Sequence, residues 1–226
     1  SDCLGDMLLG GNATNGAPGG ALVHASPIGK PADLITSIRF FDQDYWIDRL
    51  ALADPLALSY YSGERVHCYE LLGIETCLEH YLATGQARYL DAALGGWEAY
   101  RSAFKLFGGA TTIMEYDSQS PPKSYVVDKS LMGESCGSVF WINLNLRLLE
   151  LFPNQEKYAH EIEESLFNVM LAAQDDGGNI IYHNVLSGQK QPPRCSSSCC
   201  EVTSTDLFAR LPELVYSRSS SAIFIH

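Results

Sequence analysis

Leu82-Ala83-Thr84-Gly85-Gln86-Ala87-Arg88-Tyr89 is echoed 69 residues later by Leu151-Phe152-Pro153-Asn154-Gln155-Glu156-Lys157-Tyr158. Each copy joins an apolar segment to a more amphipathic one through a helix-breaking turn, then a Gln, a cation and a Tyr. Upstream of the first copy, from Glu64 to Ala83, residues Val66, Tyr69, Leu72, Gly73, Thr76 and Leu82 recur at three- and four-residue steps, which places them on one helical face. Gly85 is the usual C-terminal stop. The period resumes from Tyr89 to Phe104 through Leu90, Ala93, Leu94, Trp97 and Tyr100, and Gly108-Gly109 ends it. Around the second copy, Glu134–Phe152 is apolar enough for a buried helix. Gln155–Ala173 is amphipathic and stops at Asp175-Asp176-Gly177-Gly178. Repeated helical hairpins predict a mainly α chain built as an α-solenoid or an α/α toroid, in which the more apolar inner helices line a central cavity. The site then belongs at the N-terminal ends of those inner helices and in the loops before them.

The rest of the chain is less regular. Residues 1–30 hold seven glycines and two prolines without period and read as an irregular segment. Residues 110–130, with Pro121-Pro122, form a long loop of the kind that often carries function. Asn179–Leu186 reads as a short strand or hairpin. Thr203–Tyr216 reads as a last helix with a kink or early stop at Pro212, and Ala222–His226 as the first strand of a further β domain. The expected organisation is 1–30 irregular, 31–217 helical and 218–226 the start of a β-sandwich. Five or six helices are about half of what a whole toroid needs, so a partial barrel is expected.

Composition narrows the partners. In 226 residues, 15 Lys and Arg stand against 27 Asp and Glu, a formal charge of −12. That balance argues against a general nucleic-acid or anionic-membrane surface. No apolar run reaches the 18 residues of a membrane span.

Seven cysteines are an odd number, and their distribution says more than their count. Cys3, Cys68 and Cys77 are scattered, whereas Cys195, Cys199 and Cys200 cluster. Adjacent cysteines make a strained disulfide but can share one metal ion. Glu134-x-Cys136 adds a carboxylate and a thiol at a helix start, where exposed N–H groups favour anionic side chains. Glu134, Cys136, Cys199 and Cys200 together would make the four ligands zinc prefers. The alternative is a small buried hydrophobe at Cys136, a helix cap at Glu134 and a coincidental cysteine pair.

Four stretches carry a resemblance over about residues 60–226. They are Gly108-Gly109 followed by Glu115; Gly133-Glu134-Ser135-Cys136 before an apolar helix; Tyr158-Ala159 through Glu163 and Asn168, then Ile181-Tyr182-His183-Asn184; and Cys199-Cys200 before Leu207–Leu211. The sequence resembles the β-L-arabinofuranosidases of glycoside hydrolase family 127 and related bacterial proteins. Glu201-Val202 stand where that family often has prolines. The resemblance implies an α/α toroid followed by β-sandwich domains and a retaining glycoside hydrolase acting on terminal β-L-arabinofuranosides or related sugars. It implies zinc held by Glu134, Cys136, Cys199 and Cys200, with Cys199 as nucleophile and Glu115 as general acid/base. It further implies sugar contacts from His67, Glu163 and Tyr182. The competing expectation is a non-enzymatic helical-repeat domain whose cysteines bind a structural zinc or remain free in the core.

Overall fold

A computed structural model describes residues 44–61, 69–111, 132–185 and 199–225. The expectations at residues 1–30, His67, Cys68, Glu115 and Cys195 lie outside these residues. The chain divides into two compact units, one holding the described residues up to Lys105 and the other those from Leu106 onward.

The first unit is all helix: α1 (Asp44–Ala51), α2 (Leu56–Tyr61), α3 (Tyr69–Thr84) and α4 (Ala87–Ala103). The expected turn between α3 and α4 forms at Gly85, whose φ of 71° suits a residue without a Cβ. Helix α4 packs on both α1 and α3. The approach to α1 is close because Gly95 faces it, and a Cβ there would sit on the carbonyl oxygen of Leu50. Trp97 and Tyr100 of α4 are buried, as core side chains rather than an exposed aromatic platform. Glu70, in the first turn of α3, is fully buried, and burial holds its carboxyl well above the usual carboxylate range.

The second unit contains a 3₁₀ turn (Phe107–Gly109), β1 (Met132–Glu134), α5 (Ser135–Leu151), α6 (Glu156–Ser165) with a π-helical continuation (Leu166–Met170), and β2 (His183–Val185). These are followed by α7 (Cys199–Ala209), α8 (Leu211–Val215), β3 (Tyr216–Arg218) and β4 (Ile223–Ile225). Thirteen of the seventeen residues of α5 are buried, whereas α6 buries one face through Tyr158, Glu161, Ile162 and Ser165. This is the contrast of inner and outer helix that the apolar patterns predict. Trp141 of α5 donates its indole N–H to Glu161 of α6 at 3.1 Å, satisfying both groups inside the seam.

The sequence echo is an echo of structure. In each hairpin the glutamine opens the second helix, and its carbonyl accepts from the tyrosine three residues on: Tyr89 N–H to Gln86 at 3.1 Å and Tyr158 N–H to Gln155 at 3.2 Å. Both tyrosines are buried, and the preceding cation lies over each ring, Arg88 at 5.3 Å and Lys157 at 4.9 Å from the centroid.

Three features depart from the simple reading. Gln155–Ala173 is not one α-helix: it changes to a π turn after Ser165, with Leu171 N–H bonding Leu166 across five residues at 2.9 Å. In the 179–186 segment Ile180 makes a local antiparallel bridge to Gln174 and the expected short strand forms at β2, but the partner of that strand is distant in sequence. Its strand β2 pairs antiparallel with β1, Glu134 facing His183 and Met132 facing Val185. The last helix starts at Cys199, ahead of the expected Thr203. It breaks at Arg210, and Pro212 opens the short α8, where its missing N–H is harmless. Strand β4 pairs with β3 as a hairpin.

Candidate metal and catalytic site

The N-terminus of α5 and the N-terminus of α7 meet at three sulfur atoms. Cys136, Cys199 and Cys200 place their Sγ atoms within 4.8 Å of one another, and these three could hold a metal ion. Cys136 and Cys200 are buried, and Cys199 is half-exposed. The backbone N–H of Cys136 donates to the Cys200 sulfur at 3.3 Å, so one of the orphan donors of the α5 terminus is spent on a thiol. The three sulfurs behave as one acid–base unit. Hydrogen bonds from Cys136 and then Cys200, together with the Tyr182 hydroxyl, hold the Cys199 thiol far below its ordinary value against the opposing effect of burial. The same sharing pushes Cys136 up, through its bonds to Cys199 and Cys200 and through burial. Cys200 is also raised: its bond to Cys136 lowers it, but its bond to Cys199, burial and the nearby charge of Glu134 outweigh that. Of the three sulfurs, the accessible Cys199 is thus the one most readily ionised.

Strand pairing fixes this arrangement. Ser135 opens α5. Its N–H bonds the Tyr182 carbonyl at 3.0 Å, its hydroxyl donates to the Ile181 carbonyl at 2.6 Å, and Asn184 donates to that hydroxyl at 2.9 Å. The segment 181–184 is thus riveted to the helix start that carries Cys136. Tyr182, half-buried, puts its hydroxyl 3.9 Å from the Cys199 sulfur. On the other side, Thr203, one turn after Cys199, has its hydroxyl 3.4 Å from the Cys136 sulfur and 3.0 Å from the Cys199 carbonyl.

Of the residues expected from sequence, Cys136, Cys199, Cys200 and Tyr182 come together. Glu134 is buried at the end of β1, directly before α5, and is close enough for its charge to act on Cys200, but it is not a member of the three-sulfur group. Glu163 lies exposed on α6, outside that group. Glu115 and His67 fall outside the described residues. Gly109, expected to end a helix, does more. It has φ 84°, its carbonyl accepts from Ser165 at 2.8 Å, and a Cβ would come within 2.7 Å of the Ser165 backbone. Ser135, Asn184 and Thr203 were not singled out by the sequence. For Thr203 a signal existed, since position i+4 from Cys199 on a helix shares its face. For Ser135 and Asn184 only the strand pairing reveals the role.

Residues 80–213 match the family model described as β-L-arabinofuranosidase, GH127 catalytic domain, which is more than half of the chain. No curated protein matches. Among solved structures, the chain is similar to a GH127 β-L-arabinofuranosidase from Geobacillus stearothermophilus T6, at 18% identity with a TM-score of 0.69, covering 92% of this chain and 39% of that one. A structure described as a GH127 β-arabinofuranosidase gives 18% identity, a TM-score of 0.70, and coverage of 93% and 34%. A third, described as a glycoside hydrolase, gives 16%, 0.55, and coverage of 95% and 48%. The likeness establishes the fold class as that of the α/α toroid, and this chain spans less than half the length of each of those chains.

Proposed function

Because this chain belongs to the β-L-arabinofuranosidase family through its GH127 catalytic domain, we propose that it forms part of a retaining glycoside hydrolase that cleaves terminal β-L-arabinofuranosides or related sugars with Cys199 as nucleophile. One observation carries the reading: three sulfurs from two helix starts lie within 4.8 Å of one another, and the one that solvent reaches is Cys199.

The donor set fits zinc. Zn–S bonds of about 2.3 Å in a tetrahedron space sulfurs by about 3.8 Å, within the observed limit. Cys136, Cys199 and Cys200 would hold the ion, with Glu134 as the fourth ligand. When bound, zinc would keep the Cys199 sulfur deprotonated at neutral pH.

The residues of the chain divide the remaining work. The Cys199 thiolate attacks the anomeric carbon. The C–S bond forms as the C–O bond to the leaving group breaks, and Glu115 gives its carboxyl proton to the departing oxygen. In the second half, the Glu115 carboxylate takes a proton from water. The new C–O bond forms as C–S breaks, and the thiolate is regenerated with the original anomeric configuration. Tyr182 lies beside the Cys199 sulfur and orients the nucleophile while contacting sugar. His67 and Glu163 are assigned to sugar hydroxyls.

The test is Cys199→Ser in the native protein, with an aryl β-L-arabinofuranoside as substrate. Turnover is expected to fall by about a thousandfold or more, as when a nucleophile is removed. Activity within tenfold of wild type would refute the role.

A further inference from the structure

The Thr203 hydroxyl bonds toward both cysteine-bearing helix starts. Its Oγ1 is 3.4 Å from the Cys136 sulfur on α5, 3.0 Å from the Cys199 carbonyl and 3.4 Å from the Cys200 carbonyl on α7. Both carbonyls can only accept, and a hydroxyl has a single proton. While Cys136 carries its own proton, the arrangement is satisfied: Thr203 donates to the Cys199 carbonyl and accepts from the Cys136 thiol. A sulfur bound to a metal carries no proton and can only accept. The Thr203 proton must then turn from the Cys199 carbonyl to the Cys136 sulfur.

We propose that Thr203 is a positioning residue for the metal site, whose hydroxyl turns to donate to the Cys136 sulfur when a divalent cation is bound and so ties that ligand to the α7 turn carrying Cys199 and Cys200. This rests on the metal-site reading above. Two consequences follow from the geometry. The bond fixes the direction of the Cys136 sulfur from a second helix. It also offsets part of the negative charge that three thiolates bring to one ion. Partners of this outer kind commonly contribute ten- to a hundredfold to metal affinity.

The experiment uses the full chain as wild type, Thr203→Val and Thr203→Ser. Valine keeps the branched shape and removes the hydroxyl; serine keeps the hydroxyl. Zinc affinity is measured by competition with a chelator. Cobalt(II) is then used as a spectroscopic probe, read through its sulfur-to-metal charge-transfer absorption. Thermal unfolding of the metal-free forms reports whether each variant folds. The expected result is a ten- to hundredfold weaker zinc affinity and a shifted charge-transfer band for T203V, with T203S close to wild type on both and all three metal-free forms folded. Equal zinc affinity and identical spectra for wild type and T203V would overturn the inference, as would equal losses in T203V and T203S. Failure of wild type itself to bind zinc, or to show a thiolate band with cobalt, would overturn the metal-site reading first and this inference with it. Should T203V fail to fold, a T203S spectrum and affinity unlike wild type would count against the hydroxyl, and wild-type values would support it.

Discussion

The backbone N–H of Cys136 points at the sulfur of Cys200 and donates to it at 3.3 Å across 64 residues of sequence. A helix start that would otherwise present bare donors to solvent thus holds a thiol delivered by a second helix start. Both terminal dipoles face the sulfur cluster, which lowers the cost of gathering anionic sulfur there. The accessible member, Cys199, is the most readily ionised of the three.

Cys199 in the metal-free chain is expected to react with iodoacetamide at pH 5–6, where a thiol of the ordinary value of about 8.5 is almost wholly protonated. Its value is pulled down by the bonds from Cys136 and Cys200 and by Tyr182. The folded value lies below the unfolded one. The ionised Cys199 sulfur therefore adds stability above about pH 8.5 that is lost progressively as pH falls below it, while the raised Cys136 and Cys200 subtract stability as pH rises past that value. Cys136 and Cys200, both raised, should stay unlabelled at pH 5–6. Fragment mass spectrometry of the labelled peptides locates the adduct. Equal labelling of all three sulfurs, or none below pH 7, would contradict the shared-charge account.

Ser135→Ala removes the donor to the Ile181 carbonyl and the acceptor for Asn184, both in the partly or fully buried seam between α5 and the 181–184 segment. Losing partners there costs about 1–3 kcal/mol, to be read from urea unfolding. Ser135→Thr, which keeps the hydroxyl, should recover most of it. A neutral S135A would mean that backbone bonds, the residue 135 N–H to the Tyr182 carbonyl and the β1–β2 ladder, suffice to hold Tyr182 beside Cys199.

Gly95→Ala reverses the usual sign for a helix interior. Propensity alone favours alanine by about 1 kcal/mol. Here the new methyl would sit on the Leu50 carbonyl oxygen and force α1 away from α4, a strain of about 1–3 kcal/mol. Net destabilisation in a thermal melt is expected, and a raised melting temperature would show that the two helices do not meet at this residue.

The helical hairpins were legible because period, glycine stops and the 82–89/151–158 echo all state the same local preference. The end of α3 and both ends of α4 and α5 fall within two residues of the apolar patterns. The cysteine cluster was legible only in part: the adjacency of Cys199 and Cys200 allowed a shared metal, but residue type left a buried Cys136 beside a coincidental pair equally open, and Glu134 is not in the three-sulfur group. The β1–β2 ladder was not legible. Met132-Gly133-Glu134 is too short to alternate, and its partner lies some fifty residues away, so only tertiary pairing makes it a strand. The π turn after Ser165 has no local signal either. Ser165 is held by the Gly109 carbonyl on another segment. The Gly95 contact, invisible in a helical pattern that tolerates glycine, depends on the arrival of α1.

Cys136, Cys199 and Cys200 are proposed to bind one zinc ion together. X-ray absorption at the zinc edge of the zinc-loaded native protein measures this directly. One zinc per chain is expected, with three sulfur neighbours at about 2.3 Å and a single lighter atom at about 2.0–2.2 Å. A spectrum with one sulfur or none, or with four sulfurs, would contradict it.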